Sequence, residues 1–407
     1  MDDNTPQHGR ASVARNAGII SMAVMASRVL GLVRDQVFAV FFGAGFLYDA
    51  FLTAFRIPNL LRDLLAEGAL SAAFVTTFTQ TLTSKSKEEA LRLSNRVATL
   101  IILCIIAISI LAWIYAPVIV RMLAPGFFDV PGKAELTIEL TRIMIPFLLL
   151  IALAAQAMGM LNAFNTFGLP ALASAFFNIG SIVGGLLLGF SLGPMLGLSP
   201  IAGMAYGTLI GGFLQLAVQW PSLRRCGVSY RPDFSFSDPG VRQIIRLMGP
   251  AVIGTAAVQV NVFVNTNFAS EIIDPATGTV LNGPVSWLSY AFRFMQFPIG
   301  VFGVAIATAT LPTLSRSTAN PDYSEFRQTL AHSLALVFLL CIPSAIGLAV
   351  LGRPIVALVF EHGRFTSFDT VQTANALAAY AIGLAGYAAV KVLSPAFYAL
   401  NDARTPM

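Results

Sequence analysis

The feature of this sequence that most restricts its fold is a set of long apolar runs. Between Val97 and Val120 no side chain is charged, and the runs 167–190 and 200–222 are also free of charge. A helix that crosses the hydrocarbon layer of a bilayer needs about 20 mainly apolar residues. Stretches of this kind predict ten membrane-spanning helices, at 17–42, 47–82, 97–120, 140–163, 167–190, 200–222, 243–270, 284–315, 328–351 and 370–400.

The composition agrees with a membrane protein and excludes several other classes. Hydrophobic residues make up 56% of the 407 residues and charged residues only 11%, whereas a soluble domain carries roughly 25% charged residues. This scarcity of charge excludes a cytosolic enzyme, a nucleic-acid-binding protein and a disordered chain. An outer-membrane barrel would alternate polar and apolar residues in segments of about ten residues. The predicted fold is therefore an all-α integral membrane protein, a polytopic helix bundle.

The basic residues outside the spans predict the orientation of the chain. With a cytoplasmic N-terminus, thirteen of them fall in cytoplasmic segments and four on the opposite side. Cytoplasmic loops carry an excess of Lys and Arg, so both termini are predicted to be cytoplasmic. No small-residue cleavage site follows a short apolar core near the start, which predicts an uncleaved N-terminus.

The sequence also repeats itself at an offset of 237 positions. This offset places Ala54–Arg56 on Ala291–Arg293, Cys104 on Cys341 and Gly126 on Gly363. Six predicted spans separate the two copies, and an even number gives both copies the same orientation. The repeat therefore predicts two parallel lobes, an arrangement that recurs in transporters.

The repeat divides the chain into four predicted parts. They are a cytoplasmic tail at 1–16, an N-lobe of six spans at 17–228, a cytoplasmic linker at 229–242 and a C-lobe of four spans at 243–407. The linker contains Pro232, Pro239 and Gly240, which are typical of a connection between structured segments. The second copy lacks counterparts of two spans, so we expect the C-lobe to be truncated.

Charged side chains inside the spans are the candidate functional residues. A charge at mid-bilayer costs at least about 2.5–3.5 kcal/mol, so such residues normally face a bundle interior or a water-filled cavity. At 100° per residue, one face of span 47–82 carries Asp49, Arg56, Asp63 and Glu67, while Arg62 points elsewhere.

Three other spans have polar faces. Span 17–42 has Arg28 and Asp35 on one face with Arg34 beside them, span 284–315 has Ser286, Arg293 and Gln296, and span 370–400 has Lys391 among tyrosines. Spans 97–120, 167–190 and 200–222 have no such face. The repeat makes span 284–315 the counterpart of span 47–82, so we expect the polar faces to converge on a central cavity between the lobes.

The sign of these charges predicts the class of substrate. A guanidinium offers paired donors that match phosphate oxygens, so Arg28, Arg62 and Arg293 together favour an anionic phosphorylated substrate. For Arg142 and Arg246, which lie near span ends, a structural ion pair or a side chain that reaches the interface is the preferred interpretation. No P-loop, H-E-x-x-H or G-x-S-x-G motif occurs. The three histidines do not cluster and the three cysteines lack metal-binding spacing, so we expect no catalytic centre, metal, cofactor or nucleic-acid partner.

The same residues carry a family pattern. The segment Ser27–Asp35 resembles the opening motif of the MviN/MurJ lipid II flippases. Further segments resemble the second, eighth and ninth-to-tenth helix motifs of that family: Phe42–Gly45, Asp49–Phe51, Pro58–Arg62, Ala66–Gly68, Ser286–Trp287, Arg293, Phe297–Pro298, Gly363–Phe365, Lys391–Pro395 and Phe397–Tyr398. The resemblance extends from about residue 15 to the end of the chain.

This resemblance implies a fold, a location and a function. The fold is that of the multidrug/oligosaccharidyl-lipid/polysaccharide exporters. The function is translocation of lipid II, the lipid-linked peptidoglycan precursor, from the cytoplasmic to the periplasmic leaflet of the bacterial inner membrane by alternating access, for cell wall synthesis. The implied partners are lipid II and membrane lipids, and the chain is expected to be a monomer.

The resemblance also implies roles for particular residues. In the family, arginines that match Arg28, Arg34, Arg62 and Arg293 line the cavity, and residues that match Asp49, Asn59, Glu67 and Ser286 surround it. Taken with the polar faces, this predicts two groups of site residues. The predicted substrate-binding residues are Arg28, Arg34, Asn59, Arg62, Ser286 and Arg293, and the predicted residues of cavity charge or gating are Asp35, Asp49, Arg56, Asp63, Glu67, Gln296 and Lys391. This chain departs from the family at three positions. Phe292 and Gln296 stand where acidic residues are common, and Asp63 stands where a second basic residue is common.

Three other functions stay open on the sequence alone. The chain could export another polyprenyl-linked glycan or drugs. It could be a membrane-embedded transferase, which would need acidic metal-binding residues on a cytoplasmic loop. It could also be a scaffold with a degenerate cavity, because acidic residues of the family pattern are missing.

Overall fold

The computed structural model describes residues 5–63, 71–318, 322–400 and 402, and these residues are helical almost throughout. In the described ranges we find one isolated bridge, between Ile273 and Val280, and no strand. The α-helices are α1 (Thr5–Phe42), α2 (Phe46–Arg62), α3 (Ser71–Ser84), α4 (Lys87–Ile114), α5 (Ala116–Leu123), α6 (Lys133–Met144), α7 (Phe147–Ala163), α8 (Gly168–Leu186), α9 (Pro200–Ala217), α10 (Trp220–Arg225), α11 (Pro239–Ser270), α12 (Pro284–Pro298), α13 (Ala305–Ser317), α14 (Ser324–Phe360) and α15 (Ser367–Ala399).

Within the described residues, seven helical segments are long and apolar enough to cross a membrane. They are Lys87–Ile114, Lys133–Ala163, Gly168–Ser191, Pro200–Arg225, Pro284–Ser317, Ser324–Phe360 and Ser367–Ala399. Each coincides with one of the ten predicted spans. Two of them continue through a π-helical turn, at Leu187–Ser191 and Ile299–Val304.

The remaining three predicted spans are helical in the residues that the structure describes. Predicted spans 17–42 and 243–270 lie within α1 and α11. Predicted span 47–82 contains α2 and α3, and residues 64–70 between them lie outside the described residues, so a single span over this range stays a prediction.

Side chains at helix starts explain several of the boundaries. The Ser86 hydroxyl accepts from the Glu89 N–H at the start of α4, and Ser199 caps α9 in the same way, directly before Pro200. The Asp238 carboxylate caps α11, and Thr366 with Asp369 forms a reciprocal capping box on α15. These groups satisfy N–H donors that a helix leaves without an internal partner.

The chain divides into two compact units. Unit 1 comprises residues 1–37 and 50–281. Its core contains buried apolar residues of α3, α4 and α7, among them Phe74, Phe78, Val97 and Leu148. Helices α8 and α9 approach closely at glycines, since a Cβ on Gly207 would lie 2.4 Å from the Gly185 backbone. Membrane helices have no hydrophobic driving force between them, and small residues at such contacts allow them to pack tightly.

Unit 2 comprises residues 38–49 and 282–407. Helices α12, α14 and α15 form its core, with Cys341, Leu384 and Val392 fully or almost fully buried. Tyr290 of α12 is at the centre of an aromatic cluster, with ring centroids 4.6 Å from Phe360 and 5.1 Å from Tyr48.

The two units cut across the predicted lobe boundary at 229–242. Unit 1 includes α11, whose last turn packs against the segment after α5. A Cβ on Gly126 would lie 2.0 Å from the Ser270 carbonyl oxygen, and Asn267 Nδ2 donates to the Met122 carbonyl at 2.9 Å. The division into lobes describes the sequence repeat and stays a prediction.

Unit 2 contains the corresponding contact from the other copy of the repeat. The end of α1 packs against the segment after α14, where the Arg364 N–H donates to the Val40 carbonyl at 2.9 Å. A Cβ on Gly363 would lie 2.3 Å from that carbonyl oxygen. The 237-residue offset aligns Gly126 with Gly363. In each copy of the repeat, the glycine at this position therefore packs closely against the end of another helix.

Candidate functional site

The two arginines of α1 have different surroundings. Arg28 is exposed, and among the described residues it makes no hydrogen bond or ion pair. Two turns later, Arg34 Nη2 lies 3.3 Å from Asp35 Oδ1, and both side chains are largely buried. The Arg34 guanidinium also stands 5.6 Å from the centroid of the Phe177 ring on α8. The charge of Arg34 is therefore compensated within unit 1, whereas the charge of Arg28 remains available to a ligand.

A buried amide on α8 fixes the backbone next to Arg28. Asn178 Nδ2 donates to the carbonyl oxygens of Ser27 and Ser174, both at 3.1 Å. Sequence reasoning missed Asn178, because span 167–190 has no polar face. A single buried amide in an otherwise apolar run was the available signal.

The polar face of α2 packs against α11. Gln259 Nε2 of α11 donates to Asp63 Oδ2 at 3.1 Å, and Arg56 donates to the Thr266 hydroxyl two turns further along α11. Seven residues separate the two positions on each helix, so the contacts form an antiparallel pair. Asp63 Oδ1 also lies 2.8 Å from Arg62 Nη2. Arg62 is thus neutralised by its own neighbour.

The sequence analysis predicted the α2 side of this contact and missed the α11 side. The signal for α11 was the seven-residue spacing of Gln259 and Thr266, which places two hydrogen-bonding side chains on one helix face. Asn59, also on α2, is half-buried. Glu67 lies outside the described residues.

Asp49 and Ser286 contact each other in unit 2. Asp49 is fully buried, and its carboxylate accepts from the Gly283 N–H at 2.7 Å, the Ser286 N–H at 2.9 Å and the Ser286 hydroxyl at 2.6 Å. These donors belong to the start of α12, so the carboxylate caps that helix. Ser286 is also fully buried. A substrate contact of Ser286, or a gating role of Asp49, stays a prediction.

Arg293 continues the face of α12 that Ser286 and Tyr290 occupy. It is half-buried and engaged within the fold. The Tyr290 hydroxyl donates to the Gly43 carbonyl at 3.3 Å. Gln296 and Lys391 are exposed, so the side chains of both can reach a ligand or lipid.

The predicted linker is bound to α4 within unit 1. Arg96 donates from Nε to Asp233 at 2.9 Å and from Nη1 to Asp238 at 2.5 Å. The Ser235 backbone N–H, its side chain and the Arg96 guanidinium hold the pKa of Asp233 below its usual range. A lowered pKa stabilises the fold above the ordinary carboxyl pKa, and this stabilisation is lost as the pH falls through the lowered value. The segment is therefore held to α4 at neutral pH.

Metal-binding side chains do not gather in the part of the chain that the structure describes. No three His, Cys, Asp or Glu residues in it are close enough to share a metal ion. Cys104, Cys226 and Cys341 are free thiols. The candidate site residues described above therefore offer guanidinium, carboxylate, amide and hydroxyl groups to a ligand.

Comparison with known proteins decides the family. Residues 38–407 match the family model "Lipid II flippase MurJ". The probable lipid II flippase MurJ of Buchnera aphidicola subsp. Acyrthosiphon pisum is 33% identical over 389 residues, which cover 95% of this chain and 73% of that protein. The chain belongs to the lipid II flippase MurJ family. The resemblance of its motifs to the MviN/MurJ pattern is thereby confirmed.

Other MurJ proteins and structures agree. The lipid II flippase MurJ of Burkholderia cenocepacia is 34% identical over 392 residues, 95% of this chain and 73% of that protein. A solved structure of lipid II flippase MurJ in an inward closed conformation has a TM-score of 0.78 at 31% identity and covers 95% of this chain and 77% of its own.

A solved structure of lower sequence identity shares the fold. An inward-facing transporter of the multidrug resistance MATE family has a TM-score of 0.68 at 15% identity, over 95% of this chain and 82% of its own. At that identity the likeness concerns the fold alone. The predicted all-α membrane helix bundle is confirmed, and the MurJ family places the chain among multi-pass proteins of the bacterial inner membrane.

Proposed function

We propose that this chain is a lipid II flippase, which moves the lipid-linked peptidoglycan precursor from the cytoplasmic to the periplasmic leaflet by alternating access. The observation that carries this proposal is the match to the MurJ family model over residues 38–407, together with relatives that are named for this activity. The proposal includes a cytoplasmic N-terminus, a monomeric chain and transport without catalysis or cofactor.

Arg28 is the residue that we propose first for the substrate's pyrophosphate. It is exposed on a helix with no compensating carboxylate among the described residues, and an uncompensated charge at membrane depth normally serves a ligand or a water-filled path. Its planar guanidinium can donate two parallel hydrogen bonds to phosphate oxygens. Arg293 is the second candidate, from unit 2.

Arg34 and Arg62 are proposed to act differently from Arg28. Each lies beside its own aspartate, Asp35 and Asp63. A phosphate that approached either arginine would have to compete with this carboxylate, so their contribution depends on release of the pair. This difference predicts an order of importance that mutagenesis can measure.

The test replaces Arg28 with Ala and with Lys in a strain depleted of its own lipid II flippase. Arg28→Ala is expected to stop growth and to lower precursor flipping about tenfold to a hundredfold, because a charge-assisted hydrogen bond is lost. Arg28→Lys keeps the charge but not the bidentate geometry, so partial activity is expected. Arg34→Ala should have a smaller effect than Arg28→Ala.

Arg353→Ala is the matched control, since Arg353 is an exposed arginine on α14. It should grow and flip the precursor normally at the same level of membrane-inserted protein. Normal growth and normal flipping by both Arg28→Ala and Arg293→Ala would contradict the proposed arginine contacts. Loss of flipping in the control as well would contradict a specific role of Arg28, because removal of any exposed arginine would then have the same effect.

A further inference from the structure

Unit 1 also has a charged cavity at one end of the span α4, which contains none of the proposed substrate-binding residues. It measures about 600 Å³ and is lined by Trp113, Glu135, Glu139, Arg142 and Tyr206, with apolar side chains beside them. Glu135, Glu139 and Arg142 are at i, i+4 and i+7 of one helical segment, so they share a face. Trp and Tyr are the side chains typical of the membrane–water interface.

The charges of this cavity do not neutralise one another. Among the described residues neither Glu135 nor Glu139 makes a hydrogen bond or an ion pair. Two carboxylates one turn apart repel each other unless a cation lies between them. Arg142 stands 4.6 Å above the Trp113 ring and, within the described ranges, donates only its Nε–H, to the Trp113 carbonyl at 3.3 Å. The other four N–H donors of a guanidinium are then available to an anion.

An apolar groove adjoins the cavity and shares Trp113 with it. This groove measures about 300 Å³ and is lined by Ile106, Ile110, Ile145 and Leu149, among others. It also contains Ser109, whose hydroxyl is buried without a hydrogen-bond partner in the described chain. Trp113 lies at the end of the span Lys87–Ile114, so the groove runs from the interface along the membrane-spanning part of α4.

We propose that this cavity and groove bind a phospholipid with a primary ammonium headgroup, of the phosphatidylethanolamine type. Arg142 binds the phosphate, and Glu135 with Glu139 binds the ammonium group. The acyl chain lies along the groove, where the Ser109 hydroxyl donates to an ester carbonyl. The charges of this lipid complement those of the site. The site offers one guanidinium for the phosphate and two carboxylates for the ammonium group of a zwitterionic headgroup. A purely anionic lipid has no ammonium group for these two exposed carboxylates to bind, so it lacks the charge-assisted hydrogen bonds that favour the zwitterionic lipid.

The test compares two probe lipids by native mass spectrometry of the purified, delipidated chain in detergent. The probes are phosphatidylethanolamine and phosphatidylglycerol with identical acyl chains. The wild type is expected to bind phosphatidylethanolamine about tenfold more tightly, the effect of one charge-assisted hydrogen bond. Glu135→Gln combined with Glu139→Gln keeps the shape of both side chains and is expected to abolish this preference.

Two further variants complete the test. Arg142→Ala should weaken both lipids, since both carry a phosphate. Glu88→Gln combined with Glu89→Gln, a pair of exposed carboxylates in the first turn of α4, should keep the preference of the wild type. Equal binding of the two lipids by the wild type would overturn the proposal. A preference that survives the change of Glu135 and Glu139, or that the control pair also loses, would overturn it too.

Discussion

At the residue scale, Asp49 shows how a charge on a membrane helix can serve the fold. Its carboxylate accepts three hydrogen bonds from Gly283 and Ser286 and is completely buried. The start of a helix carries N–H donors without internal partners and a partial positive charge. A buried carboxylate at this position therefore replaces water and stabilises α12 and everything that packs on it.

Asp49→Ala should destabilise the protein by about 2–4 kcal/mol. The estimate combines the loss of a helix cap with buried donors that no water can reach. The measurement is the thermal unfolding temperature of the purified variant in detergent. Asp129→Ala, which removes an exposed aspartate, is the control and should unfold like the wild type. An unchanged unfolding temperature for Asp49→Ala would mean that the three hydrogen bonds contribute nothing.

At the element scale, two glycines at equivalent positions of the repeat allow helix ends to pack closely against the chain. Gly363 has a φ of +62°, in the left-handed region where a Cβ is strained. Its missing side chain also lets the Val40 carbonyl approach. Gly126 offers the same close approach to Ser270. A Cβ at either position would clash with the backbone of the packed helix end and displace it.

Gly363→Ala is expected to destabilise the protein by about 1–3 kcal/mol, through backbone strain and overpacking. Gly383→Ala is the matched control, because Gly383 lies within α15 and a Cβ there would meet nothing within 4 Å. Alanine exceeds glycine in helix stability by about 0.5–1 kcal/mol, so the control should be slightly stabilised. The two thermal unfolding temperatures should therefore move in opposite directions. A shift of the same sign in both variants would refute the packing argument.

Helices were easier to predict from the sequence than the contacts between them. Seven spans follow from apolar length alone, because the bilayer demands a helix wherever the backbone must satisfy its own polar groups. A helical wheel predicted a shared face for Arg56 and Asp63, and both residues contact α11. It could not show which helix that face meets, because Gln259 and Thr266 are about 200 residues away in the chain. The same distance in sequence hid the contact of Asp49 with Ser286, although both residues were selected.

At the scale of the whole molecule, the placement of charge against the spans determines what the chain can do. The residues with free charge, such as Arg28, differ from those whose charge the fold has already used, such as Asp49 and Arg96. The first group is directly available to a substrate, whereas a residue of the second group would first have to release its partner in the fold. Charged residues are only 11% of the chain. A charge that the fold does not neutralise is therefore easier to assign to a function here than in a soluble protein, where charged surface residues are common.

The orientation of the chain gives a last prediction. Ser84 and Asp129 are both exposed, and the membrane span α4 lies between them. The eight residues of α5 reach only about 12 Å and cannot return across a layer of about 30 Å. The two positions must therefore face opposite sides of the membrane. The excess of basic residues, thirteen against four, predicts that Ser84 lies on the cytoplasmic side.

Cysteine labelling tests this orientation in a variant whose three native cysteines are replaced by alanine. In intact spheroplasts, a membrane-impermeant maleimide should label Asp129→Cys at once and Ser84→Cys only after permeabilisation. The reverse pattern would contradict the cytoplasmic N-terminus but keep α4 as a span. Labelling of both positions from outside would contradict the span itself. The two failures are distinct because the first concerns the distribution of charge and the second the length of an apolar helix.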